Sequence, residues 1–72
     1  MKYQMYCHLK KYMEEKDMNI ARLSREIGVT ENAIRGYAKN TFSRIDSDVA
    51  IKICLYFDVA FGDMFEIREI PD

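Results

Sequence analysis

Tryptophan is absent from this chain of 72 residues, and cysteine, histidine and proline are all scarce. The two cysteines, Cys7 and Cys54, stand far apart with no second pair. That pattern excludes a zinc site of ordinary spacing and a disulfide framework. Both lie among apolar residues and read as reduced core thiols. His8 is the only histidine, and no ligand or acid–base partner lies near it in sequence. One proline and three glycines favour short helices joined by short corners. No apolar run approaches the roughly 20 residues of a membrane span, and the lysine-bearing start has no signal-peptide core. The expected setting is soluble and cytoplasmic, with no membrane partner. A positioned nucleophile–base pair, a metal cluster and a glycine loop for phosphates are also missing. Enzyme chemistry therefore has no candidate residues, and no cofactor or metal is expected.

What is present points to a folded chain. Apolar residues make up 49% and charged residues 32%, which excludes a disordered segment. The length suits one domain over residues 1–72 with a single modest core. The net charge of −1 is unevenly distributed. Residues 1–18 carry four lysines against three acids. Residues 19–44 carry Arg22, Arg25, Arg35, Lys39 and Arg44 against only Glu26 and Glu31, for +3. Residues 45–72 carry Lys52 and Arg68 against seven acids, for −5. Positive charge thus collects in the middle of the chain, where it can meet phosphates.

Met1 to Met5 alternate apolar and polar side chains, a short-strand signal. Phe65-Glu66-Ile67 begins the same alternation, with Ile70 following and Pro71 closing it. Neither segment has another partner, so a two-stranded ribbon formed by the termini is expected. Between them the period becomes helical. Tyr6, Leu9 and Met13 predict a first helix from about 6 to 16. Asn19 suits the N-cap of a second helix, on which Ile20, Leu23, Ser24 and Ile27 share a face. Gly28 follows the last apolar position, where a left-handed residue ends a helix. Thr30 can cap a third helix, with Glu31 in its first turn. After the loop Asn40-Thr41-Phe42-Ser43, Asp46 or Ser47 caps a fourth helix with Val49, Ala50, Ile53 and Phe57 inward. A short fifth turn, Gly62 to Phe65, adds Met64 and Phe65 to the core. The spacing makes most of Tyr3, Tyr6, Tyr12, Tyr56, Phe57, Phe61 and Phe65 core residues, with a surplus available for self-association.

The stretch LSREIGVTENAIRGYAKN, residues 23 to 40, thus holds two helices, at about 20–27 and 31–39, around a glycine corner. Many proteins place a helix in the DNA major groove with this spacing. Helical geometry turns Ala33, Ile34, Tyr37 and Ala38 inward and Glu31, Asn32, Arg35 and Lys39 outward. Asn32 can pair bidentately with adenine and Arg35 with guanine, each worth roughly 1–3 kcal/mol of discrimination. Glu31 can accept from cytosine or hold Arg35 in an i, i+4 ion pair. A solvated helix face with ordinary ion pairs accounts for the same residues. Gly36 costs about 1 kcal/mol relative to alanine inside a helix. Either the helix loosens there or close approach to a DNA backbone forbids a Cβ. Arg22, Arg25 and Arg44 read as phosphate contacts or surface charges, and Arg44, just after the loop, is the best of them.

The whole arrangement resembles the Cro/C1-type (lambda-repressor-like, XRE-type) helix-turn-helix regulators of phages and bacteria. LKKYMEEKDMNIARLSREIGVTENAI is similar to their first three helices, and RIDSDVAIKICLYFDVAFGDMFEI to the fourth and fifth. Arg44-Ile45-Asp46, Gly62 through Glu66, and Ile70-Pro71-Asp72 match a small stand-alone subgroup. The resemblance implies an all-α, five-helix lambda-repressor-like fold. It also implies a sequence-specific regulator of double-stranded DNA, a repressor or switch protein, that binds paired half-sites as a homodimer. Its setting would be bacterial or phage-encoded and nucleoid-associated. Carried over by position, Thr30, Glu31, Asn32, Arg35 and Gly36 face bases. Asn19 and Ile20 fall at the phosphate position of helix 2, and Lys39, Asn40 and Thr41 fall in the phosphate-contacting loop, with Arg44 beside them. The chain departs from the pattern at Ile20, where many relatives have glutamine, at Glu31, where arginine or glutamine is common, and in the loop NTFS, often lysine-rich. The competing reading is a protein-interaction module, antirepressor-like or antitoxin-like, that offers its acidic C-terminal half to a basic protein.

Overall fold

A computed structural model of the protein describes residues 2–71. Met1, expected in the first strand, and Asp72 lie outside the described residues. The chain runs β1 (Lys2–Cys7), α1 (Leu9–Glu15), α2 (Ile20–Ile27), α3 (Glu31–Lys39), α4 (Ser47–Phe57), α5 (Phe61–Met64) and β2 (Phe65–Ile70). Five helices and a two-stranded antiparallel ribbon make a mostly helical fold. In the ribbon Lys2 lies opposite Ile70 and Cys7 opposite Phe65.

The helix ends follow from local chemistry. The Asn19 side chain accepts from the Arg22 N–H at 2.8 Å, and Asp46 accepts from the N–H groups of Asp48 and Val49. Each satisfies donors that have no partner within the helix. Burial of one face then gathers the helices: Leu9, Leu23, Ile34, Ile53 and Met64 are sealed from solvent. Met64 and Phe65 join this core as the short fifth turn predicts.

The first strand is longer than the alternation suggests, and α1 starts later. Tyr6 and Cys7 belong to β1, and the helix begins only at Leu9. Two contacts hold the segment extended. Cys7 pairs with Phe65, and the His8 N–H donates to the Met64 carbonyl at 2.8 Å. Tyr6 therefore lies on a ribbon face, with the Arg68 guanidinium stacked 3.5 Å above its ring. Two aromatic residues assigned by spacing to the core are largely exposed: Tyr3 at 62% and Phe61 at 52%. Tyr3 lies near the tip of the ribbon, opposite Glu69. Phe61 stacks on Phe65 with one face and leaves the other open.

Both cysteines are free and buried. Burial pushes the Cys7 thiol up to about 11, and burial, followed by the Asp63 charge, raises that of Cys54. On the outer ribbon face Glu66 accepts from Arg68 at 2.8 Å and meets the His8 ring at 2.7 Å. Arg68 chiefly holds the Glu66 carboxyl below its ordinary value, against the opposing effect of burial and with lesser help from His8.

Candidate nucleic-acid interface

The corner between α2 and α3 is held by several hydrogen bonds. Gly28 closes α2 in the left-handed conformation, φ 70°, which glycine enters without a Cβ penalty. Its N–H and that of Val29 both donate to the Ser24 carbonyl. The Ser24 hydroxyl donates to the Val29 carbonyl in turn. Val29 is buried, and Thr30 starts α3 by accepting from the Ala33 N–H at 3.2 Å. The angle between the two helices is thus set by paired polar groups and one buried side chain.

On α3, Ile34 and Tyr37 are buried and Ala33 and Ala38 half-buried, while Glu31, Asn32 and Lys39 are exposed. Three of the expected base-facing residues form one cluster. Arg35 donates from Nη1 to Asn32 Oδ1 at 2.9 Å, and its Nη2 stands 3.9 Å from Glu31 Oε1. Arg35 spends part of a five-donor fork on this contact, and Asn32 keeps its NH2 and a second lone pair. The cluster is therefore pre-oriented and still able to hydrogen-bond a base edge. Thr30 is exposed at the head of the helix, but its Oγ1 serves the cap.

Gly36 does not loosen α3, which runs unbroken through it. An added Cβ would meet only Thr41 Oγ1, at 3.9 Å, an ordinary contact. Nothing within the fold therefore requires glycine at this position.

The expected phosphate positions separate into two groups. Asn19 and Ile20 at the start of α2 face Lys39 and Asn40 at the end of α3 across one open groove. Lys10 of α1 lines the same groove. Sequence reasoning missed Lys10 because its partners lie far along the chain; its only signal was an outward position on α1. Thr41 and Arg44 are exposed on the following loop. That loop is anchored from inside. Phe42 packs against Tyr37, with ring centroids 4.9 Å apart, and the Tyr37 hydroxyl donates to the Arg44 carbonyl and accepts from the Asp46 N–H.

Asn40 has work elsewhere. The Cys7 N–H donates to its Oδ1 at 2.7 Å and its Nδ2 donates to the Cys7 carbonyl at 3.1 Å. Its own N–H donates to the Tyr37 carbonyl, and the Thr41 N–H to that of Gly36. The Asn40 side chain thus joins α3 to the ribbon, and the Thr41 N–H is used within the fold.

Comparison with known proteins agrees with this geometry. The sequence pattern of the Cro/C1-type HTH DNA-binding domain matches residues 8–69. The fold is similar to the crystal structure of a candidate DNA-binding protein from Bacteroides fragilis, with a TM-score of 0.72 and 22% identity over 88% of this chain and 100% of that one. It is also similar to the transcriptional regulator VanUg, with a TM-score of 0.75 and 22% identity over 97% of this chain and 92% of that one. No curated protein matches at a significant level.

Proposed function

This chain belongs to the Cro/C1-type helix-turn-helix DNA-binding domains, and we propose that it is a sequence-specific regulator that reads the major groove of double-stranded DNA with α3. The observation that carries the reading is the outward cluster of Glu31, Asn32 and Arg35 on a helix whose start, inner face and end are each fixed. Asn32 and Arg35 supply bidentate readout of adenine and guanine, and Glu31 orients Arg35 or accepts from cytosine. Thr30 and Gly36 border the cluster, and Gly36 lets the DNA backbone approach.

Phosphate contact falls to the N–H of Ile20 beside the Asn19 cap, to Lys39, to the Thr41 hydroxyl and to Arg44. Asn40 positions this set through Cys7. The protein acts by occupancy, as a repressor or switch protein, and without a cofactor or a catalytic step. It works on the bacterial or phage nucleoid, in the cytoplasm, as a homodimer on paired half-sites.

The test is selection from a random duplex library, followed by anisotropy titration of the winner at two salt concentrations. The expected result is a consensus whose affinity falls as salt rises and weakens by roughly 1–3 kcal/mol on Arg35→Ala or Asn32→Ala, with specificity relaxed at one base pair. No enrichment and no binding at low salt would turn the reading to the alternative, a protein-interaction module. The seven acids of residues 45–72 favour that alternative and suit a basic partner.

A further inference from the structure

The groove beside the α2 cap is larger and more apolar than phosphate contact requires. Its volume is about 910 Å³, inside the roughly 300–1,000 Å³ of small-molecule sites. Met13, Met18, Ile20, Ala21 and Ala38 give it an apolar lining, and Tyr6 of the ribbon joins them. A tight turn sets the place of Met18: Asp17 is left-handed, φ 52°, and the Met18 N–H donates to the Met13 carbonyl at 2.8 Å. Two thioethers in one lining make an adaptable surface. A sugar–phosphate backbone held at Lys39 and the Ile20 N–H has no apolar body with which to cover it.

The polar groups of the groove narrow what it can take. The Asn40 carboxamide is held by Cys7. Asn19 Oδ1 caps α2, which leaves the Asn19 NH2 as a donor. Lys10 and Lys39 are exposed and form no ion pair among the described residues. Glu14, one turn after Lys10 on α1, is the opposing charge. Two cations and one anion therefore stand around an apolar lining, with donors in excess. A second cavity, lined mainly by Ile45, Ala50, Ile51, Cys54 and Phe61, measures about 240 Å³ and has no charged side chain in its lining.

We propose that this groove binds a small amphipathic anion, a single anionic head on an aliphatic or aromatic body, taken from free solution. The body covers Met18, Ile20 and Ala21, and burial of those apolar side chains supplies the affinity. The head meets Lys10 and Lys39, which select its sign. Glu14 opposes it and limits how tightly an anion is held. An occupied groove no longer offers Lys39 and the Ile20 N–H to DNA, so the ligand releases the protein from its site. Binding of the anion stands apart from the DNA reading; the release rests on it.

Titration of the 15N-labelled full chain with dodecanoate, in the absence of DNA, tests the site by NMR. Dodecyltrimethylammonium, the same chain with the opposite charge, is the control. Dodecanoate is expected to give saturable one-to-one amide shifts centred on Ala21, Ala38 and Lys39, and the cation is not. Lys10→Ala and Lys39→Ala each weaken dodecanoate by about three- to fivefold, and Glu14→Gln tightens it. Ala21→Glu, at an exposed position of the lining, abolishes it with an unchanged far-UV spectrum. Leu55→Glu, at an exposed position of α4, leaves it as in wild type. Shifts centred on Ile51, Leu55 and Phe61, equal binding of the two amphiphiles, or no saturable shift would each overturn the site. In anisotropy titrations of the selected duplex, dodecanoate lowers DNA affinity and acetate at equal ionic strength does not. Groove shifts without loss of DNA affinity overturn the release alone. A library selection that yields no duplex overturns the DNA reading and leaves the groove to be judged by the amide shifts.

Discussion

The carboxamide of Asn40 closes a two-point hydrogen bond on the backbone of Cys7, 2.7 Å to the N–H and 3.1 Å to the carbonyl. It does so from a left-handed backbone, φ 59°. One residue thus ends α3, caps the β1 edge at Cys7 and fixes where the following loop begins.

Asn40→Ala loses the hydrogen bonds and also strains the backbone, whereas Asn40→Gly loses only the bonds. Leaving half-buried polar groups unpaired costs about 1–3 kcal/mol, and the left-handed conformation costs about 1 kcal/mol more for alanine. Urea unfolding is expected to rank wild type above Asn40→Gly and Asn40→Gly above Asn40→Ala. Equal losses in both variants would mean that the bonds alone matter.

Gly36→Ala separates folding from binding. The free protein gains helix propensity at a position with room for a methyl group, so its stability should rise by about 0.5–1 kcal/mol. If the glycine serves close approach of DNA, affinity for the selected duplex falls in the same variant. A variant both stabler and equally tight would remove Gly36 from the interface.

The lowered Glu66 carboxyl gives stability a pH dependence. Its folded-state value lies below the ordinary 4.5, so the stabilisation is present at neutral pH and is lost as pH falls below 4.5 through the folded value. Arg68→Ala removes the largest cause. The melting-temperature gap between wild type and variant should narrow as pH drops from about 7 to about 3. It should not close, because stacking on Tyr6 does not titrate in that range. A gap constant with pH would separate Arg68 from Glu66 energetically.

Lys10 and Lys39 line the groove beside the α2 cap and should behave as phosphate contacts. Each alanine variant is expected to weaken binding by a similar factor on every duplex sequence and to reduce the salt slope by about 1. Arg35→Ala should instead change which sequence is preferred. Anisotropy titrations over a salt series distinguish the two patterns. Unchanged slopes for Lys10→Ala would confine the interface to α2, α3 and the loop.

Features governed by near neighbours were legible in the sequence. Asn19, Gly28, Thr30 and Asp46 cap or end helices through contacts a few residues away, and the faces of α3 and α4 follow from helical periodicity. The termini also announced their pairing by alternation. Tyr6 reads as helical because it makes the i, i+3 step to Leu9 and breaks the alternation of residues 1–5. Its tertiary partners, Phe65 opposite Cys7 and Arg68 above the Tyr6 ring, decided for the strand. Asn40 carried no sign of its bond to Cys7, since a polar loop residue looks the same whether it faces solvent or a backbone distant in sequence. Lys10 was hidden for the same reason. Phe61 and Tyr3 show the converse, aromatic side chains whose spacing suits a core but which are largely exposed.

The pairing of Cys7 with Phe65 also sets an order of events. Joining segments so distant in sequence requires closing nearly the whole chain as a loop, an entropic cost met before any contact in the ribbon is gained. The helices and the α2–α3 corner rely on short-range contacts, which form early. The ribbon is then the last part to close and the first to open. When it opens, Asn40 loses its bonds to Cys7, and the loop after α3 is left with its inner anchors on Tyr37 alone.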